Sequence, residues 1–566
     1  MSNHSYDLVV LGAGAAGLAT ALFAALRGLR PVLIEKSSFV GGTTALSAGS
    51  VWIPNTEAGR KVNPSDNFEA ALSYLQAVTP AHALPMQQTF LELGPKAVNV
   101  LERHSHVRFR AYTYHPDYFS DANGASLQGR VLEPVPFDAG RLGHDIEMIR
   151  PPIPEFTLFG GMMVDRTDIR HLLNATKSWA SLSHGIGLLQ RHACDRLRGR
   201  RSSRLVMGNA LIGRLLASVI DRKVAILRET EPTQLILSNG RVTGVRVTTK
   251  AGEETLTARA GVVLAGGGFN RNPQLRRSLI PTAEIYTPIA AGSTGDLVQL
   301  ALSVGAKLGP EGGGHAFWAP VSVHTRGDGS KAVFPHFVLD RAKPGTLVVN
   351  QAGRRFLNES TSYNLFALTM IEAHAREPSI PAFLVCDSRA LLAYGLGMVR
   401  PGGWSLRRLI AEGYVVNAPS LAALGDKLSI DPLALEESVA RMNRFADTGF
   451  DEDFRRGTTA YERNLGDPAF SPNPTLGRLE KPPFYAIRLY PGDIASSTGL
   501  VTGSNARVLG SSGPIKGLFA VGNDMQSVMG GAYPGPGITL EPALAFAYAA
   551  AESAAAELRD GERGPL

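Results

Sequence analysis

The run Gly530-Gly531-Ala532-Tyr533-Pro534-Gly535-Pro536-Gly537 sets one phenol among residues that force tight turns. Glycine permits close backbone approach and proline fixes φ, so the Tyr533 hydroxyl is aimed at a partner. The run follows the strand-like Leu518 to Asn523 and precedes a helix-like stretch from Ile538 to Leu558. Its amides are therefore expected at a helix N-terminus, where unpaired N–H donors face an electron-rich ligand. Near the other end of the chain, Gly12-Ala13-Gly14-Ala15-Ala16-Gly17 follows the buried-strand pattern Asp7 to Leu11 and leads into the helix-like Leu18 to Leu26. A second strand, Pro31 to Ile34, ends in Glu35. Glycines so spaced give a tight turn, close approach to a pyrophosphate and helix-on-strand packing, while the acid suits a ribose hydroxyl pair. The chemistry predicted here is dinucleotide binding.

Soon after Glu35 comes Gly41-Gly42-Thr43-Thr44-Ala45-Leu46-Ser47-Ala48-Gly49. A nicotinamide enzyme has no need of it. Small residues let the backbone run close beneath a bulky ring, which predicts the isoalloxazine of a flavin, the part that handles the electrons.

The elements that must position these loops recur along the chain. The fold expected is α/β: a Rossmann-type FAD-binding domain threaded from separate segments, with an inserted α+β substrate domain. Residues 1 to about 55 supply the first βαβ unit, Val224 to Val247 alternates as a hairpin around Asn239-Gly240, and Gly261 to Gly268 is a buried strand ending in glycines. The boundaries read as 1–284 for the first FAD-binding segment, 285–484 for the substrate domain, and 485–566 for the return, which carries Gly517 to Asn523. The Ala-rich final helix reads as a packing helix.

Composition fits a globular protein of two or three domains: 566 residues, 44% hydrophobic and 19% charged. Cys194 and Cys386 are the only cysteines, too few for a disulfide framework or a metal cluster, so no metal is expected. The first strand begins within about six residues, which leaves no room for a signal peptide, and no apolar run approaches the length of a spanning helix. A cytoplasmic protein is expected. A net charge of +7 does not indicate nucleic acid at this length. Its distribution is uneven: Arg191, Arg196, Arg198, Arg200, Arg201 and Arg204 fall within fourteen residues, just after Trp179, Leu182, Ile186 and Leu189, which with the later Ala193 recur at helical spacing.

Over nearly its whole length the chain resembles 3-ketosteroid Δ1-dehydrogenases, within the fumarate reductase and succinate dehydrogenase flavoprotein class. The motifs that carry the likeness are Leu8 to Gly17, Gly41 to Pro54, Leu205 to Leu216, Asn358 to Tyr363 and Asn523 to Leu540. The resemblance implies non-covalent FAD, a 3-ketosteroid substrate and an external electron acceptor such as a quinone or dye. It puts Tyr533 and Gly537 on the steroid's 3-keto oxygen, the catalytic base on Tyr363, and a supporting tyrosine on Tyr118. Cofactor contacts are expected at Gly12, Gly14, Ala15, Ala16, Gly17, Glu35, Lys36, Gly41, Gly42, Thr43, Thr44, Ser47, Ala48, Gly49, Ala265, Gly266, Asn270, Asp296, Gly522, Asn523, Gly537, Thr539 and Leu540.

The residue types suit that reaction. Removing hydrogen from two carbons beside a ketone needs a polarised carbonyl, which Tyr533 and the Gly537 N–H can supply. The proton on carbon-2 needs a base, and a tyrosine with reference pKa near 10 must be assisted to act near neutrality. Three departures from the family stand out: Thr361 and Ser362 before Tyr363, the segment Ile494 to Gly499, and Glu541 where a glycine is usual. The rivals are Δ4-dehydrogenation of a 5α-steroid, desaturation of another cyclic ketone, and a non-catalytic flavin-binding membrane-associated protein. Residues 177–206 are an addition relative to compact members, and read as an in-plane helix at the inner face of the cell membrane, drawn to anionic lipid. The other reading is that its apolar stripe packs on the protein's own core or on a partner subunit.

Overall fold

In a computed structural model, residues 3–198, 201–280 and 286–562 are described. Arg200 and the expected boundary between 284 and 285 lie outside them. The strand Asn3–Leu11 is sealed at Leu8, Val9, Val10 and Leu11, each fully buried. An uninterrupted apolar run of this kind is what a strand buried on both faces requires. It pairs in parallel with Pro31–Glu35 on one side and Gly252–Leu264 on the other, Val10 opposite Leu33 and Val263. The sheet continues in parallel to Ala225–Arg228 at one edge and, on the other side, to Gly513–Ala520, beyond which Arg507–Gly510 forms an antiparallel edge. The expected hairpin is present, with Ser238 opposite Arg241.

Helices Ala15–Leu26 and Glu541–Glu562 pack against each other on this sheet. Alanines at Ala543, Ala545, Ala547 and Ala550 let the last helix lie close, and Phe23 meets Tyr548 edge-on at 5.4 Å. Where the parallel strands end, the Gly12 N–H donates to Ile34 O (2.7 Å) and the Ala265 N–H to Leu11 O (2.8 Å). These carboxyl ends open the crevice in which α/β sheets bind ligands.

A second, antiparallel sheet runs in the order Lys331–Pro335, Ala316–Thr325, Phe484–Ser496, Ala382–Cys386, Thr346–Val349. This corrects the boundary at 485: Phe484–Ser496 is a central strand of the second sheet, and the chain returns to the first only after it. The cause is that a run of consecutive apolar residues reads the same in either sheet. On its pocket side, the strand Lys331–Pro335 leads to Phe337, and the helix Tyr363–His374 packs across the strand Ala316–Thr325.

Helix Trp179–Leu197 spans most of the extra segment. Its inner face is Ser181, Gly185, Leu188, His192 and Asp195. The stripe of Trp179, Ile186 and Leu189 faces outward, Trp179 with 86% of its surface exposed, and so does not pack on the protein's own core. Three of the arginines turn inward instead. Arg191 bonds Asp138 and Ser203, Arg201 bonds Ile149 O and Asn209 Oδ1, and Arg204 pairs with Asp168 at 2.8 Å. Sequence spacing could not separate arginines that hold the segment down from those left in water.

Candidate active site

The Tyr533 loop is shaped by close backbone approaches. A Cβ at Gly531 would lie 2.2 Å from Gly312 C, at Gly535 2.4 Å from the Trp52 ring, and at Gly537 2.1 Å from Ser50 O, with φ of +90° at Gly537. Only glycine fits these points. The Pro534 carbonyl accepts from the Tyr74 hydroxyl (2.6 Å) and from the Tyr118 N–H (3.0 Å), which ties Tyr118 to the loop that carries Tyr533.

Tyr118 is anchored by its neighbour. The Asp117 carboxylate, fully buried, accepts from Trp52 Nε1 (2.7 Å), the Ser126 N–H (2.9 Å) and Arg130 Nη1 (2.7 Å). Arg130 also grips Asp66 through Nη2 (2.6 Å) and Nε (3.0 Å).

Tyr363 is the first residue of the helix Tyr363–His374, whose cap is Ser362, so Ser362 keeps a structural role where the family carries another residue. The motif before it is a clamp. Glu359 holds Arg355 with both oxygens (2.9 and 2.8 Å), and Asn358 Oδ1 accepts from the Ser360 N–H (2.8 Å).

These separate clamps bring the three predicted tyrosines together. Ring centroids are 5.1 Å apart for Tyr363 and Tyr533, 5.5 Å for Tyr118 and Tyr363, and 5.9 Å for Tyr118 and Tyr533. All three are buried and line one cavity of about 590 Å³, which also runs along the glycine loops of the first sheet. Burial pushes the Tyr118 and Tyr363 phenols well above their ordinary range, and Tyr533 up to about 12. Tyr533 is thus held as a hydrogen-bond donor at neutral pH.

Most of the expected cofactor positions line the same cavity, including Gly12, Gly14, Glu35, Gly42, Ser47, Gly49, Asp296, Asn523 and Thr539. Gly17, Gly41 and Asn270 do not. A Cβ at Gly17 would strike Gly12 O at 1.8 Å, so that residue seats helix on strand; Gly41 would meet Ala45 and Ile212. Asn270 instead donates to Asp493 (2.7 Å). Glu35 lines the cavity and also braces its turn, accepting from the Ala13 N–H (2.9 Å) and the Ser37 N–H (2.9 Å).

The cradle fits FAD. A Cβ at Gly14 would meet nothing within 4 Å, the open side a pyrophosphate needs, while one at Gly12, where φ is +103°, would lie 2.2 Å from Ala265 O. Opposite, the small residues from Gly42 to Gly49 leave a slot suited to a flat ring.

Sequence reasoning missed part of the site. Phe337 and Lys343 line the cavity, Phe337 meeting Tyr363 edge-on at 4.8 Å. Tyr461 packs on Tyr118 at 4.6 Å, and the fully buried Arg341 lies behind it. None belongs to a local motif, so no spacing marks them. Behind the loop, the Glu541 carboxyl is wholly buried, and neither oxygen has a hydrogen-bond partner. It packs on Gly94, where a Cβ would come within 2.9 Å of Oε1, and burial raises its pKa well above the carboxylate range.

A crevice at the strand ends and a cavity able to seat a flavin define a class. The chain belongs to the FAD binding domain family, whose description matches residues 7–540, and is an FAD-dependent oxidoreductase. It is 34% identical over 582 residues to 3-oxosteroid 1-dehydrogenase of Mycolicibacterium smegmatis, covering 100% of both chains. It is also 34% identical over 571 residues to 4-oxocyclohex-2-ene-1-carboxylate 5-dehydrogenase of Sinomonas cyclohexanicum, covering 99% of this chain and 95% of that one. The crystal structure of 3-ketosteroid Δ1-dehydrogenase from Sterolibacterium denitrificans, in complex with 1,4-androstadiene-3,17-dione, superposes with a TM-score of 0.90 at 34% identity, covering 98% of this chain and 100% of that chain. The family resemblance drawn from the sequence is thereby borne out.

Proposed function

We propose that the protein catalyses FAD-dependent Δ1-dehydrogenation of 3-ketosteroids. The observation that carries this reading is the convergence of Tyr118, Tyr363 and Tyr533 on the wall of the cavity that runs along the glycine loops. The Tyr533 hydroxyl and the Gly537 N–H polarise the 3-keto oxygen, which lets carbon-2 release a proton as enolate character develops. Tyr363 takes that proton. Its place at the start of a helix favours negative charge on the phenol oxygen, and the Tyr118 ring packs edge-on against it at 5.5 Å. Bound FAD supplies the two-electron acceptor for the hydride leaving carbon-1. Gly12, Gly14, Glu35, Gly42, Ser47, Asn523 and Thr539 would hold it, without a covalent tether. The body built on the second sheet contributes Phe337, Lys343 and Tyr363, and is read as the substrate domain.

Tyr363→Phe is expected to abolish turnover while steroid binding persists, because a base acts in the transition state. Tyr533→Phe should weaken binding and lower the rate about a hundredfold. Near-normal turnover by Tyr363→Phe would refute the base assignment.

A second reading has one observation in its favour, the equal identity to a dehydrogenase of a carboxylated cyclohexenone. The cavity offers Lys343 and Arg166 as cations for such a carboxylate. Turnover of 3-ketosteroids, 5α-steroids and 4-oxocyclohexanecarboxylates with an artificial acceptor, followed by mass spectrometry of the products, separates Δ1, Δ4 and small-ring activity.

Among the described residues no helix is long and apolar enough to cross a membrane. The outer face of Trp179–Leu197 supports peripheral attachment instead: Trp179, Ile186, Leu189 and Leu197 are exposed together with Phe159 and Leu173. An in-plane helix of this kind buries its apolar face at the headgroup boundary. Because Arg191, Arg201 and Arg204 are engaged within the protein, apolar burial carries more of the attachment than charge does. Liposome co-sedimentation should be lost on deleting 180–203, and equal recovery of both proteins in the supernatant would reject attachment.

A further inference from the structure

A second cleft lies outside the flavin cavity, where the strand Phe137–Asp138 meets the helix Met207–Asp221. It holds about 420 Å³ and is lined by Phe137, Asp138, Gly140, Arg141 and Arg214. Arg214 is its buried cation, with 9% of its surface exposed. The guanidinium lies over the Phe137 ring at 5.2 Å and donates to three backbone carbonyls: Nε to Val135 (3.0 Å), Nη1 to His106 (2.6 Å) and Nη2 to Pro136 (2.8 Å). One N–H on each terminal nitrogen is left over. Carbonyl dipoles solvate the cation without cancelling its charge, and a buried cation without an anion is costly.

Two further guanidiniums gather at the same place. Arg141 Nη1 donates to His106 Nδ1 (3.1 Å), so Arg141 and Arg214 share His106 as a partner, one through its ring and one through its carbonyl. Arg108, two positions after His106, donates to the Ser105 and Val107 carbonyls (2.7 and 2.6 Å). Among the described residues no carboxylate forms an ion pair with Arg108, Arg141 or Arg214. The two acids at hand are engaged elsewhere. Asp221 accepts from His106 Nε2 (2.6 Å), and Asp138, on the wall of the cleft, accepts from Arg191 Nη2 (2.7 Å) and the Gly140 N–H (3.0 Å). Burial first, and then the charges of Arg108 and Arg141, push the Arg214 pKa down to about 10, a repulsion that an anion in the cleft would relieve.

We propose that this cleft is a phosphate-binding site held by the Arg141 and Arg214 guanidiniums, with Arg108 adding charge beside it. Planar forks of N–H donors match the edges of a tetrahedral oxyanion, and charge-assisted bonds of this kind are the strong ones. The group bound is inorganic phosphate or the phosphodiester of a lipid headgroup; the second source follows from the place of the cleft, whose Asp138 is the partner of Arg191 on the added helix Trp179–Leu197. Occupancy reaches the cofactor cavity through one element. The helix that carries Arg214 also grips the loop of residues 42–49 at its first turn, where the Gly208 N–H donates to Ser47 O (3.1 Å) and Asn209 Nδ2 to Ala45 O (2.5 Å). An anion bound at Arg214 therefore stabilises the helix that shapes the flavin slot.

The site is independent of the reaction assigned to the cavity, and its test needs no turnover. Calorimetric titration of inorganic phosphate into the holoenzyme, with ionic strength held by chloride, should show one site per chain. Arg141→Glu should weaken it at least about tenfold with flavin content unchanged. Arg214→Lys should weaken it as well, and Arg141→Glu, an exposed change, remains informative if the Arg214 variant fails to fold. Arg222→Glu, the same charge change outside the cleft, should leave the affinity as it is. Flavin-release temperature should rise with phosphate in the wild type and stay flat in Arg141→Glu. Vesicles of phosphatidylcholine, with and without phosphatidylglycerol, separate the two sources. Co-sedimentation that depends on phosphatidylglycerol, is lost in Arg141→Glu but not in Arg222→Glu, and is competed by inorganic phosphate assigns the headgroup. The titrated site together with vesicle binding indifferent to Arg141 assigns free phosphate. Equal weakening by Arg222→Glu, or no response to Arg141→Glu in either arm, would overturn the proposal.

Discussion

Arg130 stands between two carboxylates, and removing it should cost far more than removing either acid. Side-chain exposure is 1% for Arg130, 0% for Asp117 and 6% for Asp66, so water compensates none of them. Arg130→Met strands two buried carboxylates at once, and breaking a buried pair from one side typically costs about 3–5 kcal/mol. Asp117→Asn strands nothing charged. The Trp52 Nε1 donor keeps an oxygen to meet, and Arg130 keeps its two-point grip on Asp66. The loss there is that of weakened hydrogen bonds, about 1–2 kcal/mol. The two variants should therefore differ by about 2 kcal/mol or more, with the arginine variant the weaker. Denaturant unfolding of the holoenzyme, followed by flavin and tryptophan fluorescence, reads the difference. Because Asp117 precedes Tyr118, Arg130→Met should also depress turnover in the protein that remains folded. Equal stability of the two variants, or a weaker Asp117→Asn, would show that the network is not the charge balance described.

Gly537→Ala should abolish steroid turnover, since the added methyl would sit 2.1 Å from Ser50 O at a φ of +90°; a normal rate would mean that the loop can shift freely. Acid precipitation of the yellow protein should leave the flavin in solution, because no histidine lies in Gly41 to Gly49; colour kept in the pellet would indicate a covalent link. His115, which lines the cavity, has its imidazole pushed down to about 4 by burial. The stability this carries is complete above about pH 6.5 and is lost as pH falls toward 4, a change of about 3 kcal/mol. His115→Phe should flatten the dependence of flavin-release temperature between pH 7.5 and pH 5, and parallel curves for the two proteins would contradict it.

What could be read from the sequence was whatever is enforced locally. The turn after Leu11 needs glycines within six residues, and the Tyr533 loop declares its backbone by glycine and proline alone. Tyr363 and Tyr118 had no such signature and were placed through the family likeness. Their meeting depends on two remote clamps, one around Arg130 and one around Glu359. Tyr461 and Arg341 were invisible because each is a single buried residue outside any local motif. The return to the first sheet was drawn at 485, ahead of Phe484–Ser496, a strand of the second sheet that no local signal in the sequence sided. Among the arginines after Trp179, those that tie the segment down could be told from those in water only by their partners.

The contact between Gly94 and Glu541 constrains the order in which this protein can change. A methyl at position 94 and a carboxyl at position 541 compete for one volume, so neither site has a fixed tolerance of its own. In a background with glycine at 541, an alanine at position 94 would gain helix propensity of about 1 kcal/mol and meet Ile53 Cγ2 at 3.2 Å as its remaining tight contact. In this chain the same step meets the Glu541 Oε1 at 2.9 Å and requires the buried carboxyl to move. The two positions are therefore coupled: a methyl at 94 is accommodated most easily when 541 is small, and the acid at 541 when 94 is glycine. Substitutions imported singly from a relative into either site will misreport what that site accepts, whereas the pair exchanged together will not.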